Sequence, residues 1–525
     1  MAAPQIRLGF GFLTVGGWTL VSRVLGFLRD ILIARYLGAG GVAEAFLVAF
    51  SLPNMFRRFF AEGAMNTAFV PIFSKKLEGG GDAMPFARNA LSMLAVFLIG
   101  FTLLAQIAMP WLVLAMASGF ADDPRFGIAV EFGRICFAYI LLISLAALIS
   151  GMLNAAGRFA AAAAAPVLLN VILVSALIFG AQSATDSPEA ARMIGLALSW
   201  GVPVAGVAQL VLVWGAAARA GLVIRPTWPK FTPDLRRLAV VAGPAMLAGG
   251  VVQVNLLVGR QVASFFDGAI AWLSYADRLY QLPLGVVGIA IGIVLLPDLS
   301  RRLRAGDDAG GRQALSRAAE IGMTLTIPAA VALMVIPVPL VSVLFERGAF
   351  EGQDTIATAW AVAIYGAGLP AFVLQKIWQP VFYAREDTKR PFHYALVAMV
   401  INAALAIGLA FFIGYIAAAL ATTISAWVMA YQLRRGAKTY GDVAAYDARY
   451  LARIPRIAGA AIAMGAVLYG AGLILAPVLE GGGVRYLALA GLIAVGAGAY
   501  ALFGRLFGAF SFGEILGALR RKGAA

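Results

Sequence analysis

Four arginines lie in stretches that are otherwise apolar enough to cross a membrane. Arg23 and Arg29 interrupt VSRVLGFLRDILIARYLG, Arg57 lies in LPNMFRRFFAEG, and Arg278 lies in SYADRLYQLPLG. An unpaired charge at the centre of a bilayer costs about 2.5–3.5 kcal/mol on insertion scales, so these residues need water, counter-ions or a ligand around them. A guanidinium presents a planar fork of donors that matches phosphate oxygens. A cluster of arginines in a hydrated cavity therefore predicts a ligand that carries a phosphate or diphosphate.

Acidic side chains near these arginines offer an alternative, which is a set of buried ion pairs that holds helices together. Asp30 lies on the same helix face as Arg23, about two turns away. Arg58 and Glu62 are four residues apart and are expected to pair. Asp277 directly precedes an arginine that points about 100° away from it, so each needs a partner elsewhere. Because the arginines outnumber the acids, the ligand interpretation is preferred for the four arginines, and both interpretations stay open for the other charged residues.

The composition predicts a polytopic membrane protein. Hydrophobic residues make up 62% and charged residues 13% of the 525, against roughly 45–50% and about 25% in soluble domains. A single cysteine, Cys136, excludes an intramolecular disulfide, and a single histidine, His393, cannot form a metal cluster alone. We therefore expect no metal site and no cofactor. No cleavable signal peptide is evident, so the first span is expected to act as its own insertion signal.

Recurring apolar runs predict an all-α fold of about fourteen transmembrane helices. The spans are expected near residues 10–37, 42–72, 89–117, 127–152, 159–181, 191–217, 238–265, 269–297, 316–345, 355–382, 392–413, 415–433, 456–478 and 484–508. Most lysines and arginines outside the spans fall in alternate loops, such as SKK, SRRLR and REDTKR. The loops on the other side hold only Arg125, Arg192, Arg347 and Arg485. This positive-inside pattern places both termini in the cytoplasm, and it attributes the net charge of +15 to topology and not to a nucleic-acid partner.

Two segments of the chain repeat each other. AFVPIFSKK closes the second span and IVLLPDLSRR closes the eighth, so that Pro71 and Ser74 correspond to Pro297 and Ser300. An even number of spans separates them, which predicts two six-helix halves of parallel topology with a substrate site between the halves near mid-membrane. We expect an N-terminal lobe at 1–222, a C-terminal lobe at 223–440 and two additional helices within 441–525.

Four longer motifs contain the charged residues, namely SRVLGFLRD (22–30), LPNMFRRFFAEGAMNTAFVP (52–71), SYADRLYQLPLGVVGIAIG (274–292) and FYAREDTKRP (382–391). Together they closely resemble the MurJ (MviN) family of lipid II flippases, and the resemblance follows the chain in order over nearly all of its length. It implies the multidrug/oligosaccharidyl-lipid/polysaccharide (MOP) exporter superfamily and two lobes around a cationic cavity. The last two helices would form a groove for a lipid tail.

The resemblance also implies a function in peptidoglycan biosynthesis, and hence in cell-wall biogenesis and cell shape. Such proteins move lipid II, an undecaprenyl-diphosphate-linked disaccharide-pentapeptide, from the cytoplasmic to the outer leaflet by alternating access. The family's essential cavity arginines, expected to bind substrate, fall on Arg23, Arg29, Arg57 and Arg278. Gating or charge pairing is expected of Asp30, Glu44, Arg58, Glu62 and Asp277, with Lys376 and Asp387 as secondary candidates. Glu44 stands where other members carry Asp.

Sodium coupling is not expected. Some relatives coordinate sodium with an acid in the seventh helix and with the aspartate of the loop before the eleventh. Asp387 provides that loop aspartate, but the seventh span has no acid before Asp267. Coupling to the membrane potential or to protons is the hypothesis that remains.

Other functions stay open. The nearest is a flippase for another polyprenyl-linked oligosaccharide, whereas a drug/cation antiporter would need net acidity in its cavity. A membrane-embedded lipid-sugar enzyme would need paired acids or a nucleophile. The acidic pairs ADDP (121–124) and GDDAG (306–310) are interpreted as solvated turns on opposite faces, and a structural scaffold would not need cations in its spans.

We therefore expect a transporter and not an enzyme, in the bacterial cytoplasmic (inner) membrane. Its expected partners are lipid II and the lipid bilayer, with no nucleic acid. Partners among the cell-wall synthesis proteins stay open.

Overall fold

The computed structural model describes residues 5–58, 68–79, 82–183, 189–479 and 481–510. Over these residues all regular secondary structure is helical, which confirms the predicted all-α class. Ten helical stretches of the described chain are long and apolar enough to cross a membrane, judged by length and composition. The protein is therefore a multi-span membrane protein.

Seventeen α-helices occur in the described part of the chain. They are α1 (Gln5–Leu37), α2 (Gly41–Arg57), α3 (Val70–Glu78), α4 (Ala83–Met116), α5 (Pro124–Phe137), α6 (Tyr139–Ala155), α7 (Ala160–Ser183), α8 (Ala190–Arg219), α9 (Pro233–Ala263), α10 (Ala269–Arg304), α11 (Asp308–Val335), α12 (Pro337–Phe345), α13 (Gly352–Tyr383), α14 (Lys389–Ile413), α15 (Ile416–Ala437), α16 (Ala448–Leu479) and α17 (Arg485–Leu506). Two 3-10 helices, Ser118–Phe120 and Lys438–Ala444, follow α4 and α15.

The fourteen predicted spans and these helices overlap throughout, but the helix count differs from the prediction. The fourth span is divided at Ala138 into α5 and α6, and the ninth is divided at Ile336 into α11 and α12. Pro337 explains the second division, because a proline has no N–H to donate and it disfavours helical dihedrals in the residue before it. The second span corresponds to α2 and α3, and the residues between 58 and 68 lie outside the described part.

The contacts divide the chain into two compact units. Unit 1 comprises Met1–Ala271 and Arg347–Phe350, and unit 2 comprises Trp272–Glu346 and Glu351–Ala525. In unit 1, α2 packs on α5, α7 packs on both α1 and α8, and α9 contacts α4. The helix of the seventh predicted span thus contacts a helix of the third. The predicted lobes, with bounds at residues 222 and 440, remain a prediction.

The core of unit 1 contains a stack of aromatic rings. Phe69 lies 5.6 Å from Phe73 and 5.6 Å from Phe86 between ring centroids, in stacked orientation. All three side chains are buried and belong to a core that also includes Leu148 and Val213. These contacts join α3 and α4 to α6 and α8, so the end of the second predicted span and the residues after it pack in the core of unit 1.

In unit 2, α13 packs against α11 and α15, and α14 packs against α15. The last two helices pack on each other, and α16 also packs on α11. Their apolar contact includes Met464 and Leu468 of α16, Leu492 of α17, and Ile336 and Val343 of the α11–α12 region. The two additional helices therefore share a core with unit 2.

A buried carboxylate adds a polar attachment between α11 and α16. Glu320 is 6% exposed and forms ion pairs with Arg317, Arg449 and Arg453. Arg317 also pairs with Asp447, which precedes α16. We call Glu320 and its three arginines the Glu320 cluster. Because a buried charge must be paired, this cluster fixes the start of α16 on α11.

The segment Arg347–Phe350 packs closely against the end of α1, where Gly38 ends the helix. Gly38 has a φ of +60°, in the left-handed region that favours glycine. A Cβ at this position would lie 2.2 Å from the carbonyl oxygen of Ala349. The Ala349 N–H donates to the carbonyl oxygen of Arg35 at 2.8 Å. The segment Arg347–Phe350 therefore approaches α1 too closely for a side chain at residue 38.

Replacing this glycine should destabilise the protein. Gly38→Ala adds a Cβ where both the backbone dihedral and the Ala349 carbonyl oppose it, and we expect a loss of about 1–3 kcal/mol in stability. The measurement is the thermal unfolding midpoint in detergent. Gly100→Ala in α4 is the matched control, since nothing lies within 4 Å of a Cβ there. Equal midpoints for the two variants would contradict the account of Gly38.

Candidate functional site

The predicted site residues of unit 1 lie on its first two helices. Arg23, Arg29 and Asp30 belong to α1, and Glu44 and Arg57 belong to α2. The next residue, Arg58, is the exposed C-cap of α2. Glu62 lies outside the described residues, so its predicted pairing with Arg58 stays a prediction.

Arg29 is 6% exposed and is held by two neighbours. Its Nη2 and Nε donate to Oδ1 of Asp30 at 2.7 and 2.9 Å, and its Nη1 donates to Oδ1 of Asn170 on α7 at 3.0 Å. The guanidinium also lies 5.7 Å from the ring centroid of Phe50. The Asn170 amide in turn donates to the carbonyl oxygen of Ser22 at 2.9 Å. These bonds fix the direction of the guanidinium and bind α1 to α7.

Arg23 has a different environment from Arg29. It is exposed, and over the described part of the chain it forms no hydrogen bond and no ion pair. Arg57 is partly buried at the end of α2. Of these two α1 residues, Arg29 is thus fixed in an ion pair, whereas the donors of Arg23 are available to a ligand.

Glu44 lies in a second charged group near the start of α2. Its side chain is buried, with the residue 1% exposed, and its Oε2 accepts a hydrogen bond from Nη1 of Arg125 at 2.7 Å. Its Oε1 accepts the backbone N–H of Ile270 at 3.0 Å, in the first turn of α10. Nη2 of Arg125 lies 2.8 Å from carboxylate oxygens of both Asp123 and Asp267. We call Arg125, Glu44, Asp123 and Asp267 the Arg125 cluster.

The Arg125 cluster joins several segments of unit 1. Its arginine is 8% exposed and lies 4.6 Å from the ring centroid of Phe120. Arg125 is the second residue of α5 and Asp123 caps the same helix, whereas Glu44 belongs to α2 and Asp267 precedes α10. A Cβ at Gly41 would lie 2.9 Å from Cγ of Arg125, so the start of α2 approaches the arginine stem closely. One cation with three carboxylates therefore fixes these segments together.

Sequence reasoning missed Arg125, which was assigned to a loop, and it did not include Asn170 among the predicted site residues. The ADDP turn contained a usable signal, since Asp followed by Pro is typical of an N-cap and a first helical residue. The structure bears this out, because Asp123 caps α5 and accepts the N–H of Arg125 at 2.7 Å. The hydrogen bond from the Arg125 side chain lowers the pKa of Asp123.

The second acidic pair is also a helix cap. Asp307 of GDDAG accepts the N–H of Gly310 at 2.8 Å and caps α11. Asp123 and Asp307 thus each cap a helix and contact an arginine, and the exposure of Asp122, Asp307 and Asp308 agrees with the interpretation as solvated turns. Neither pair supplies the two free acids that a lipid-sugar enzyme would need.

The predicted site residues of unit 2 lie on α10 and α13 and in the loop before α14. Asp277 accepts a hydrogen bond from Gln281, one turn further along α10. Arg278, the neighbouring residue, is exposed, as is Lys376 on α13. The sequence analysis expected a partner for Asp277 elsewhere in the chain. One of its hydrogen-bond partners, Gln281, lies on the same helix.

Asp387 is part of a network with an aromatic ring at its centre. Its Oδ2 accepts the Tyr440 hydroxyl at 2.6 Å and lies 3.4 Å from Nε of Arg390. The guanidinium carbons of Arg385 and Arg390 lie 4.7 and 5.3 Å from the Tyr440 ring centroid. The tyrosine hydrogen bond lowers the pKa of Asp387. The carboxylate of Asp387 is therefore engaged by a hydroxyl and a guanidinium, and the expected absence of sodium coupling stays a prediction.

Comparison with known proteins identifies the relatives of this chain. A family model described as lipid II flippase MurJ matches residues 33–480. A probable lipid II flippase MurJ of Rhizobium meliloti (strain 1021) is 43% identical over 521 residues, which are 98% of this chain and 96% of the relative.

Solved structures show the same fold. A structure of lipid II flippase MurJ in an inward closed conformation matches with a TM-score of 0.78 at 23% identity, over 94% of this chain and 98% of that chain. An inward-facing multidrug resistance MATE family transporter of the MOP superfamily matches with a TM-score of 0.65 at 14% identity, over 80% of this chain and 94% of that one.

Removing the cation of the Arg125 cluster should be strongly destabilising. Arg125→Met leaves Glu44 buried without its guanidinium, and breaking a buried ion pair in this way costs about 3–5 kcal/mol. The thermal unfolding midpoint in detergent measures the effect. Arg192→Met is the control, because its ion pair with Glu131 is exposed and such pairs contribute about 0–1 kcal/mol. A loss at Arg125 no larger than the loss at Arg192 would contradict the assignment.

Proposed function

The chain belongs to the MurJ family of lipid II flippases, and from this premise we propose that it moves lipid II from the cytoplasmic to the periplasmic leaflet by alternating access. It is a transporter and not an enzyme. The cargo carries a diphosphate, a hydrophilic sugar-peptide group and a polyprenyl tail. Only the first two need a polar path across the bilayer, because the tail is stable in lipid.

The observation that carries the proposed binding mode is the difference between Arg23 and Arg29 on α1. Arg29 is held by Asp30 and Asn170, whereas Arg23 is exposed with no ion pair to the described residues. A diphosphate bound at Arg23 would meet a second guanidinium that is already oriented. Pre-oriented donors lose little conformational freedom on binding, which favours anion recognition.

We assign Arg57 and Arg278 to the same ligand on the basis of the sequence motifs. Both side chains present several donors, and a diphosphate has enough acceptor oxygens for several guanidinium groups. Asp30 is then the counter-ion of Arg29 when cargo is absent. Binding of the diphosphate would compete with this pairing and with the Asn170 bond that joins α1 to α7, so the charge of the cargo is coupled to the packing of α1 on α7.

The Arg125 cluster is proposed as a gate on the periplasmic side. In the predicted topology, the segments that carry Glu44, Arg125 and Asp267 all lie at that side. Opening there would have to separate Glu44 from Arg125 or from the start of α10, at the cost of exposing both charges to water or cargo. Charged groups that are stable both when paired and when hydrated suit such a gate.

The orientation follows from the basic residues. We propose that the protein lies in the bacterial inner membrane with both termini in the cytoplasm, because lysines and arginines concentrate in the loops of that side. Partners among the cell-wall synthesis proteins remain a prediction of the resemblance.

Substitutions of the four arginines test the proposal in a bacterium depleted of its own lipid II flippase. The parent chain should restore growth, whereas Arg23→Ala, Arg29→Ala, Arg57→Ala and Arg278→Ala should fail at equal expression. Arg→Lys variants should transport lipid II more slowly by a factor of about ten or more. A hydrogen bond to a charged group contributes about 1.5–3 kcal/mol, and lysine loses the bidentate geometry. Arg192→Ala is the control and should rescue growth. Rescue by all four Ala variants would show that the arginines do not bind cargo.

Transport should not depend on sodium. The seventh predicted span has no acid before Asp267, and Asp387 is engaged with Tyr440 and Arg390. Replacing sodium by choline at constant ionic strength should leave the initial rate of lipid II transport in vesicles unchanged. A collapse of the rate in choline would refute the proposal, and recovery on adding sodium back would exclude an effect of choline itself.

A further inference from the structure

A basic cavity lies in unit 2 where α15 turns into α16. It has a volume of about 430 Å³ and is lined by residues that include Arg434, Lys438, Asp442, Tyr446 and Leu451. This volume lies within the range of about 300–1,000 Å³ that is typical of small-molecule sites. The cavity belongs entirely to one unit and uses none of the proposed transport residues.

Two cations of the cavity have no anionic partner in the described chain. Arg434 and Lys438 are exposed, and within the described ranges neither forms an ion pair or a hydrogen bond. They are four residues apart and so lie on one helix face, where like charges repel in the absence of an anion. Asp442 is the single acid among the described residues that line the cavity. The lining therefore has net positive charge.

Neighbouring arginines differ from these two because each has a structural role. Arg317, Arg449 and Arg453 pair with Glu320 in the Glu320 cluster. Arg312 donates to the carbonyl oxygen of Tyr446 at 2.9 Å. The attachment of α16 to α11 is thus complete without Arg434 and Lys438, which leaves their charges available to a ligand.

The walls of the cavity are fixed by local structure. The guanidinium carbon of Arg434 lies 5.3 Å from the ring centroid of the buried Tyr446. Gly441 has φ 78° and ψ −150°, a conformation that is essentially restricted to glycine, and it turns the backbone within the 3-10 helix. An arginine held on an aromatic face and a backbone turn give the cavity a defined shape before any ligand binds.

The position of the cavity indicates the source of the ligand. The stretches Ile416–Ala444 and Ala448–Leu479 are both candidate membrane spans, so the cavity lies at the ends of two spans. The predicted topology places these ends at the cytoplasmic surface, where anionic lipids attract basic residues. Leu451 lines the cavity and is 54% exposed, and Tyr431 one turn before Arg434 is also exposed, as is typical of an interfacial aromatic residue.

We propose that this cavity binds the phosphodiester head group of an anionic phospholipid of the cytoplasmic leaflet. Arg434 and Lys438 bind the phosphate, and Leu451 contacts the apolar part of the lipid. The single negative charge of the phosphodiester balances the net positive charge of the lining, and the bound lipid joins the ends of α15 and α16. The proposal does not depend on lipid II transport.

Native mass spectrometry of the purified full chain in detergent tests the site. Phosphatidylglycerol should bind more tightly than phosphatidylcholine with the same acyl chains. Arg434→Gln with Lys438→Gln should weaken phosphatidylglycerol binding about thirtyfold, and Lys438→Gln alone about fivefold. Arg435→Gln is the matched control, since Arg435 is exposed next to Arg434 but does not line the cavity. It should bind like the parent.

Three results would overturn the proposal. Equal weakening by Arg435→Gln would show binding to general surface charge, and equal affinity for the two lipids would show that the anionic head group is not recognised. Displacement of the lipid by an equal concentration of inorganic phosphate would identify a free anion as the ligand. If the double Gln variant does not fold, Arg434→Lys with Lys438→Arg keeps both charges and should retain the affinity of the parent.

Discussion

A charge buried among apolar helices is stable only beside a partner, and both units of this protein are organised by that constraint. The buried charged residues of the described chain are Arg29, Asp30, Glu44, Arg125 and Glu320. Each of them forms an ion pair. The pairs Glu44–Arg125 and Glu320–Arg449 join different helices, so the cost of burial is offset where helices must be held. The Arg29–Asp30 pair lies within α1, and Arg29 is joined to α7 by its hydrogen bond to Asn170.

The same constraint separates structural cations from cations that are available for binding. Arg125 and the arginines of the Glu320 cluster are engaged by carboxylates and fix helix ends. Arg23 and Arg434 are exposed without carboxylate partners in the part of the chain that the structure describes. Both proposals rest on this difference, since a cation beside apolar helices that lacks a protein anion is suited to an anionic ligand. In one case the ligand is a transported diphosphate, and in the other it is a resident lipid.

The sequence predicted the all-α class and the location of the spans, because apolar runs of about 20 residues are a strong and local signal. It did not predict the breaks at Ala138 and Ile336 or the pairing of Arg29 with Asp30 and Asn170. Adjacent residues of a helix point about 100° apart, which argued against a contact between Arg29 and Asp30. The long arginine side chain nevertheless turns back to its neighbour, and Asn170 of α7 accepts a further hydrogen bond from it. Such contacts depend on tertiary packing that spacing alone does not contain.

Arg125 illustrates the limit most clearly. Its position after ADDP indicated a helix start, yet its partners Glu44 and Asp267 are distant in sequence and their approach is a result of the fold. The Glu44 assignment came from the family resemblance, whereas its partner came from the structure alone. Residues whose role depends on pairing with residues distant in the sequence are thus the hardest to identify from the sequence.

Direct transport of lipid II by the purified chain tests the central claim most directly. The protein would be reconstituted in vesicles with fluorescent lipid II, and the appearance of label in the opposite leaflet would be followed over time. The account predicts transport well above that of protein-free vesicles and of the Arg23→Ala protein, with little transport of a polyprenyl-diphosphate O-antigen unit. Equal transport by parent and Arg23→Ala, or faster transport of the O-antigen unit than of lipid II, would contradict it.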